Sequence, residues 1–278
     1  MVLKMLPEDV PKDKYVEVNG LRLHYLDWGN RGAQPMILIH GLQQCAHSWD
    51  FFATRMQPSF HVLALDQRGH GDSAWAQGKA YKFDDYVAEI SGFIKSLRLS
   101  KVVLVGHSAG GRYSMAYAAQ HPRKVDRLII VDIDPDSSKQ EASHRFDRQL
   151  SRSDKWESLD DLLGRLRRRY PNVPGDVLHH HALHLTQELP GGRRKWKRDR
   201  AILEVYERPD IWGEFSRIRC PTLIVRGRNS RILTHETAVK MKETLQGCRL
   251  AELEDGGHWV YDEVPGSFEA AVRWFLAD

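Results

Sequence analysis

Short apolar runs alternate with segments of helical spacing along most of this chain, and this alternation restricts the fold more than any other feature. The runs are rich in β-branched residues, and the clearest are Met36–Ile39, His61–Leu65, Val102–Val105 and Leu128–Val131. Apolar strands separated by helices are typical of a mostly parallel sheet that is covered on both faces. Before them, Tyr15–Val18 and Leu21–Trp28 flank Asn19-Gly20, which predicts an antiparallel hairpin at one edge.

The alternation stops at Pro135 and resumes at Cys220-Pro221. The sequence between them is too long for a loop in a compact domain, and its pattern is polar and helical. We therefore predict a core domain from residues 1–135 and 216–278, with a helical cap inserted at 136–215. The remaining predicted core elements are helices Phe83–Leu97, Ser108–Gln120, Glu236–Leu245 and Phe268–Leu276, and strands Thr222–Val225 and Leu250–Leu253.

Composition excludes several classes of protein. Of the 278 residues, 41% are hydrophobic and 28% charged, which is ordinary for a globular chain. No apolar run approaches the roughly 20 residues of a membrane helix, and Met1–Lys14 contains no apolar signal segment. The three cysteines are scattered, which favours a reducing, cytoplasmic location. The net charge of +4 comes without a nucleic-acid motif, so no nucleic-acid partner is predicted.

The pentapeptide Gly106-His107-Ser108-Ala109-Gly110 lies between a predicted strand and a predicted helix. In that context the pattern G-x-S-x-G predicts a sharp turn that exposes a nucleophilic serine, Ser108. An incidental serine in a glycine-rich turn is the alternative. The backbone amide of Ala109, next in the chain, would receive the negative charge that develops on a substrate carbonyl.

A serine nucleophile needs a base to accept its proton. His258 follows the last predicted strand, in the loop Asp255-Gly256-Gly257-His258-Trp259, and precedes the closing helix. This position distinguishes it from the other thirteen histidines. His40 and His107 adjoin motif glycines, and we expect them to shape the substrate pocket.

Together these motifs resemble the α/β-hydrolase superfamily: His40-Gly41, the run Asp66–Ser73, the serine pentapeptide, and Gly257-His258-Trp259. The resemblance covers the chain from about Tyr15 to its end, apart from the cap. It implies a mostly parallel eight-stranded sheet with helices on both faces. It also implies that Leu42, after His-Gly, supplies the second oxyanion-hole amide, with Gln43 as second choice.

The chain departs from the family pattern at the acid that would orient the histidine. Many members carry it after the seventh strand, where this chain reads Arg226–Ile232 and places Ser230 or Arg231 instead of an aspartate. Some relatives place the acid after the sixth strand, and here Asp132 and Asp134 follow Val131. We favour Asp132 and keep Asp134 as the alternative. Either aspartate could instead only cap the turn into the insertion.

The predicted cap carries 16 Lys/Arg and 13 Asp/Glu between Lys139 and Glu214. Its basic clusters, Arg165 to Arg169 and Arg193 to Arg198, suit either an anionic substrate or a solvated helix face, and we favour the latter. His180 and His184 share a helix face, but no H-E-x-x-H arrangement is present, so neither metal nor cofactor is predicted. Trp49, Trp196 and Trp259 are expected to form pocket walls or core.

These observations favour a serine hydrolase with the triad Ser108, His258 and Asp132. It would cleave a small to medium carboxylic ester or thioester through an acyl-enzyme, as a monomer or homodimer. One alternative is a carbon–carbon bond hydrolase acting on a ring-cleavage product, because proteins that the chain resembles do this with the same triad. The other is a non-catalytic binding protein, which the missing seventh-strand acid suggests.

Overall fold

A computed structural model of the chain describes residues 10–137, 146–147 and 149–277. Met1–Lys14, in which the sequence shows no apolar signal segment, lies mostly outside these residues. Part of the predicted cap, residues 138–145 and 148, also lies outside them. None of the helices formed by the described residues has the length and apolar character that a membrane crossing requires.

The predicted sheet is present and has eight strands, in the spatial order β1-β2-β4-β3-β5-β6-β10-β11. β2 pairs antiparallel with both β1 and β4, whereas the other pairs of this sheet are parallel. The turn that joins β1 to β2 is formed by Asn19 and Gly20, both with positive φ. The strands are β1 (Lys12–Val18), β2 (Leu21–Asp27), β3 (Gln34–Ile39), β4 (Phe60–Leu65), β5 (Val102–His107), β6 (Val125–Val131), β10 (Thr222–Gly227) and β11 (Arg249–Leu253).

Helices cover both faces of this sheet. Alternate residues of β3 belong to different apolar clusters, since Met36 and Leu38 pack on one face and Ile37 and Ile39 on the other. Burying such side chains contributes about 1.5–3 kcal/mol each, which fixes the register of the central strands. The covering helices are α1 (Asp50–Met56), α2 (Phe83–Ser96), α3 (Ala109–Gln120), α8 (His235–Thr244), α9 (Val260–Glu263) and α10 (Pro265–Leu276).

Between β6 and β10 lies a segment with its own small sheet, and we refer to residues 136–215 as the insertion. The sequence predicted only helices here, but three short strands pair antiparallel in the order β7-β9-β8. They were missed because each has two or three residues and none has an apolar alternation. The elements are β7 (Lys155–Trp156), α4 (Leu159–Arg169), α5 (Gly175–Leu185), β8 (Thr186–Glu188), β9 (Arg194–Trp196), α6 (Ala201–Glu204) and α7 (Trp212–Phe215).

Both ends of the insertion are held by one buried side chain of α3. The guanidinium of Arg112 donates to the backbone oxygens of Asp134 and Asp136, at 2.5 and 2.9 Å, and to that of Pro209. The amide of Ile211 also donates to the oxygen of Pro135, at 3.0 Å. The two ends of the insertion therefore lie side by side where the chain leaves the sheet and returns to it.

The strand β5 and the helix α3 approach each other so closely that two glycines have no room for a side chain. A Cβ on Gly106 would lie 2.6 Å from the backbone oxygen of Gly110. A Cβ on Gly110 would lie 2.6 Å from the oxygen of Ile39 and would also contact that of His40. Because these are backbone atoms of β3 and its loop, no side-chain rotation can relieve the contact.

We therefore expect Gly110→Ala to lower the free energy of unfolding by about 3 kcal/mol, at the upper end of typical overpacking costs. Gly213→Ala in α7 is the matched control, because a Cβ there meets nothing within 4 Å. We expect the control to change stability by less than about 1 kcal/mol. Urea unfolding monitored by circular dichroism measures both, and equal losses in the two variants would contradict the crowding argument.

Candidate active site

The turn after β5 presents Ser108 in a conformation that few non-glycine residues adopt. Its φ and ψ are 53° and −124°, a strained combination that lifts the side chain above the carboxyl edge of the sheet. Its Oγ faces a cavity that the insertion covers on the opposite side. Such strain persists only where the surroundings enforce it, and here the crowded glycines do so.

His258 stands beside this serine, in the loop between β11 and α9. Its Nε2 lies 3.2 Å from Ser108 Oγ, and its Nδ1 lies 2.7 Å from Asp132 Oδ2. The structure thus brings together three of the predicted site residues in one hydrogen-bonded chain. The order of contacts is the one that serine nucleophile, general base and orienting carboxylate require.

Asp132 is completely buried at the end of β6. It has a φ of 50°, so the strand alternation ends there and its side chain turns toward His258. Burial raises the pKa of Asp132 to about 8, although the Ser230 hydroxyl, the Gly227 amide and the charge of Arg226 act to lower it. An imidazolium at 2.7 Å strongly stabilises the negative charge of a carboxylate that is so poorly solvated.

Ser230 occupies the loop position after β10 where many family members place the acid. Its hydroxyl donates to Asp132 Oδ2 at 2.5 Å and accepts from the amide of Ile232 at 3.1 Å. The loop after β10 therefore still contacts the carboxylate, but through a neutral hydrogen-bond donor. The sequence identified the position, whereas this contact became visible only in the structure.

Asp134, the alternative acid, is directed elsewhere. Its Oδ1 accepts from Arg208 at 2.6 Å and from the amide of Asp136 at 2.8 Å, and Arg112 lies 3.9 Å away. These contacts belong to the base of the insertion. Between the two candidates, only Asp132 contacts His258 among the described residues.

The amides predicted for the oxyanion hole are available. No hydrogen bond from the N–H groups of Leu42 or Ala109 to another described residue is present, and Ala109 begins α3, where amides lack helical partners. The second choice, Gln43, is occupied, because its N–H donates to His70 Nε2 at 3.1 Å. Burial lowers the pKa of His70 to about 3, so the ring stays neutral and can accept.

Two residues expected in the pocket lie behind it. His40 is fully buried, accepts from the amide of Gln67 and lies 2.8 Å from the oxygen of Gly41, so it braces the loop from below. Trp49 is also fully buried and stacks on Tyr261 at 4.5 Å. Neither lines the cavity, because both side chains point into the core beneath the loop that follows β3.

The other three predicted pocket residues, His107, Trp196 and Trp259, line the cavity. Trp259 stacks on Tyr170 of the insertion with ring centroids 3.8 Å apart. Most residues of the remaining wall belong to the insertion, whose pattern does not indicate from sequence which side chains face the core. These residues include Phe146, Gln149, Trp156, Leu162, Leu166, Tyr170 and Tyr206.

Several arginines face the same cavity. Arg198 is neutralised by Asp154, to which it donates at 2.8 and 3.1 Å. Arg152, Arg165 and Arg169 also line the cavity, but none of them forms an ion pair within the described residues. Burial and the neighbouring guanidiniums lower the pKa of Arg165. Arg167, Arg168 and Arg169 are exposed and Arg165 is partly buried, so most of this cluster is the solvated helix face expected from sequence.

Potential metal ligands gather at two places among the described residues, and neither lines the cavity. One group is His24, Asp66 and Asp72; the other is His47, Asp50, His180 and His184. In the first, both oxygens of Asp66 already accept backbone hydrogen bonds, from Ala46 at 2.6 Å and Asp72 at 2.9 Å. From sequence, only His180 and His184 of the second group stand out, since Asp50 lies 130 positions from His180 and His47 lies farther still.

Residues 36–271 match the model of the alpha/beta hydrolase family, and the chain belongs to that family. The 2-(acetamidomethylene)succinate hydrolase of Mesorhizobium japonicum is 27% identical over 88% of this chain and 89% of its own. Human epoxide hydrolase 4 is 34% identical over 95% of this chain and 78% of its own. The 2-hydroxy-6-oxo-2,4-heptadienoate hydrolase of Pseudomonas putida is 27% identical over 92% of each.

A crystal structure of E-2-(acetamidomethylene)succinate hydrolase superposes with a TM-score of 0.88 at 26% identity, covering 96% of this chain and all of that one. The fold predicted from sequence is therefore confirmed. These relatives are hydrolases, and hydrolase activity is accordingly supported for this chain.

Removal of the Ser230 hydroxyl should raise the pKa of the Asp132 carboxyl further, because that hydroxyl lowers it. The Asp132–His258 pair would then hold its proton to higher pH. For Ser230→Ala we expect the acidic limb of the profile of kcat/KM against pH to move up by roughly one unit.

Ser230→Thr retains the hydroxyl and serves as the control, for which we expect a shift of less than about 0.3 unit. A uniform loss of kcat/KM in Ser230→Ala at every pH, with no movement of the limb, would mean that Ser230 only shapes the loop.

Proposed function

We propose that this chain is a serine hydrolase that cleaves a carboxylic ester or thioester bearing an anionic group, by way of an acyl-enzyme. The observation that carries the proposal is the hydrogen-bonded chain from Ser108 Oγ through His258 to Asp132, which opens on a cavity. Nucleophile, base and acid come from three separate loops at the carboxyl ends of the strands, which is where open α/β sheets bind their ligands.

In the first half of the reaction, Ser108 Oγ attacks the substrate carbonyl carbon while His258 Nε2 accepts the hydroxyl proton. The imidazolium that forms is stabilised by Asp132 through Nδ1. Negative charge on the carbonyl oxygen is received by the amides of Leu42 and Ala109. The tetrahedral intermediate then collapses, and His258 Nε2 donates its proton to the departing alcohol or thiol.

In the second half, water replaces the leaving group beside His258. The imidazole takes one proton from water as its oxygen attacks the acyl carbon, and the same two amides receive the charge again. Collapse of this intermediate breaks the bond to Ser108 Oγ, which regains its proton from Nε2. The products are a carboxylic acid and the alcohol or thiol, and the enzyme returns to its starting state.

A serine nucleophile separates this chemistry from the activity in the name of the human relative. Attack of a serine oxygen on an epoxide carbon would form an ether, which water does not readily cleave, so turnover would stop. Attack on a carbonyl carbon forms an ester, which the same His258 can help to hydrolyse. Ser108 therefore favours carbonyl substrates.

The anionic group is inferred from Arg152, Arg165 and Arg169. None of the three guanidiniums forms an ion pair within the described residues, and Arg165 is partly buried beside the charges of Arg152 and Arg169. A substrate carboxylate would relieve their repulsion while forming charge-assisted hydrogen bonds. We propose that the insertion acts as a cap, which places these charges and the apolar wall of Trp156, Leu162 and Leu166 above Ser108.

Hydrolysis of a carbon–carbon bond in a ring-cleavage product is the second candidate. The three cavity arginines favour it too, because such products carry carboxylates, and the Pseudomonas putida relative is named for a heptadienoate substrate. Comparing the turnover of the two kinds of substrate distinguishes the two candidate functions. A preference for a dienoate ring-cleavage product over simple esters would select the second.

A fluorophosphonate probe tests the nucleophile and the acid in one experiment. We expect it to label the wild type at Ser108 and to leave Ser108→Ala unlabelled. Asp132→Asn should lower the labelling rate by as much as about 10⁴-fold, because the imidazole loses its correct tautomer. Asp134→Asn should retain most of the rate, since Asp134 pairs with Arg208.

Absence of labelling in the folded wild type would favour a non-catalytic binding protein. A wild-type rate in Asp132→Asn would remove Asp132 from the proposed triad.

Substrate charge can be tested with Arg165→Ala and a matched pair of esters, one neutral and one with a carboxylate on its acyl chain. We expect kcat/KM for the anionic ester to fall about tenfold or more, because one charge-assisted hydrogen bond is lost. We expect kcat/KM for the neutral ester to stay within about twofold. Arg167→Ala, an exposed position of the same helix outside the cavity, is the control. Equal losses for both esters would contradict the anion assignment.

A further inference from the structure

Four metal-binding side chains meet where the insertion rests on the core, away from the cavity. His47 and Asp50 follow the oxyanion loop in the core, whereas His180 and His184 lie one turn apart on α5 of the insertion. One potential ligand atom from each residue lies within 4.8 Å of all the others. We call these residues the His47 cluster.

The members already contact one another closely. Asp50 Oδ2 lies 2.7 Å from His47 Nδ1 and 2.9 Å from His180 Nε2. The His184 ring lies 3.7 Å from the His47 ring and 4.4 Å from the His180 ring, measured between centroids. No hydrogen bond to His184 is present among the described residues, so its nitrogens are available.

The carboxylate of Asp50 points independently to a cation. The residue is 1% exposed, and its Oδ1 has no hydrogen-bond partner in the described part of the chain. A buried carboxylate oxygen without a partner costs about 1–3 kcal/mol or more. A cation bound beside Asp50 would offset that cost, whereas hydrogen bonds from two histidines reach only the other oxygen.

Three imidazoles and one carboxylate match the ligands that zinc and its neighbours in the first transition row prefer. Metal–nitrogen bonds of about 2.0–2.1 Å in a tetrahedron set ligand atoms roughly 3.4 Å apart. The present contacts to Asp50 Oδ2 would have to widen by about half an ångström, which side-chain rotation can supply. His47 and His180 are 15% and 20% exposed, which leaves a path for the ion.

We propose that the His47 cluster binds one divalent transition-metal ion of the zinc class, which joins the insertion to the core. This inference does not depend on the proposed reaction. The neighbouring His181 contacts buried Asp262 at 2.8 Å, so α5 already has one fixed contact with the segment that follows His258. On the segment that follows the oxyanion loop, the hydrogen bond between His180 and Asp50 holds α5, and the metal would strengthen that link.

The test uses the full chain, stripped with a chelator and then titrated with Co²⁺ and with Zn²⁺. We expect one equivalent to bind, Co²⁺ to develop the visible absorption of a four-coordinate site, and Zn²⁺ at about 100 times its Kd to raise Tm by roughly 5 °C or more. In His184→Ala, affinity should fall at least tenfold, and the Tm shift at the same Zn²⁺ concentration should fall to about half or less.

His179→Ala is the matched control, because this histidine is adjacent on α5, exposed and outside the cluster. It should behave as the wild type does. Circular dichroism and Tm in chelator establish that each variant is folded, and Asp50→Asn provides a second, shape-conserving variant expected to lose affinity. Absence of binding in the wild type, or equal affinity in His184→Ala and the wild type, would overturn the proposal.

Discussion

The close contact of three chain segments at the turn after β5 is the constraint on which the candidate site depends. The strand β5, the helix α3 and the loop after β3 approach within the distance that only glycine allows, at Gly106 and Gly110. This contact forces Ser108 into its strained conformation and sets the amide of Ala109 beside the loop that carries Leu42. The position of the nucleophile is thus determined by backbone packing.

Buried carboxylates with histidine partners are the second recurrent element. Asp66 with His24, Asp50 with His47 and His180, Asp262 with His181, and Asp132 with His258 all follow this arrangement. Histidine can share a proton with a carboxylate without committing the pair to two full charges, which lowers the cost of burial. Many of the chain's histidines therefore serve structure, and His258 differs from them in contacting a hydroxyl.

The sequence was sufficient where the determinants are local. The apolar runs, together with the Asn19-Gly20 hairpin signal, predicted all eight strands of the main sheet. The glycines around Ser108 and His258 located the loops that meet in space. It was insufficient where the determinants are tertiary. Asp132 is distinguished from Asp134 by a φ of 50° that no residue type dictates, and the His47 cluster joins positions 130 residues apart. The small sheet of the insertion has strands too short to show a pattern.

The attachment of the insertion has a consequence for how a substrate is captured. Arg112 holds both connections to the sheet, and His180 and His181 fix α5 to the core. The insertion cannot swing away as one body while these contacts last. The guanidiniums of Arg152, Arg165 and Arg169, which form no ion pair within the described residues, line the cavity that the insertion covers. Discrimination by charge would therefore act during diffusional approach, in the rate of encounter. Added salt would then slow capture of an anionic molecule while leaving the bond-breaking steps unchanged.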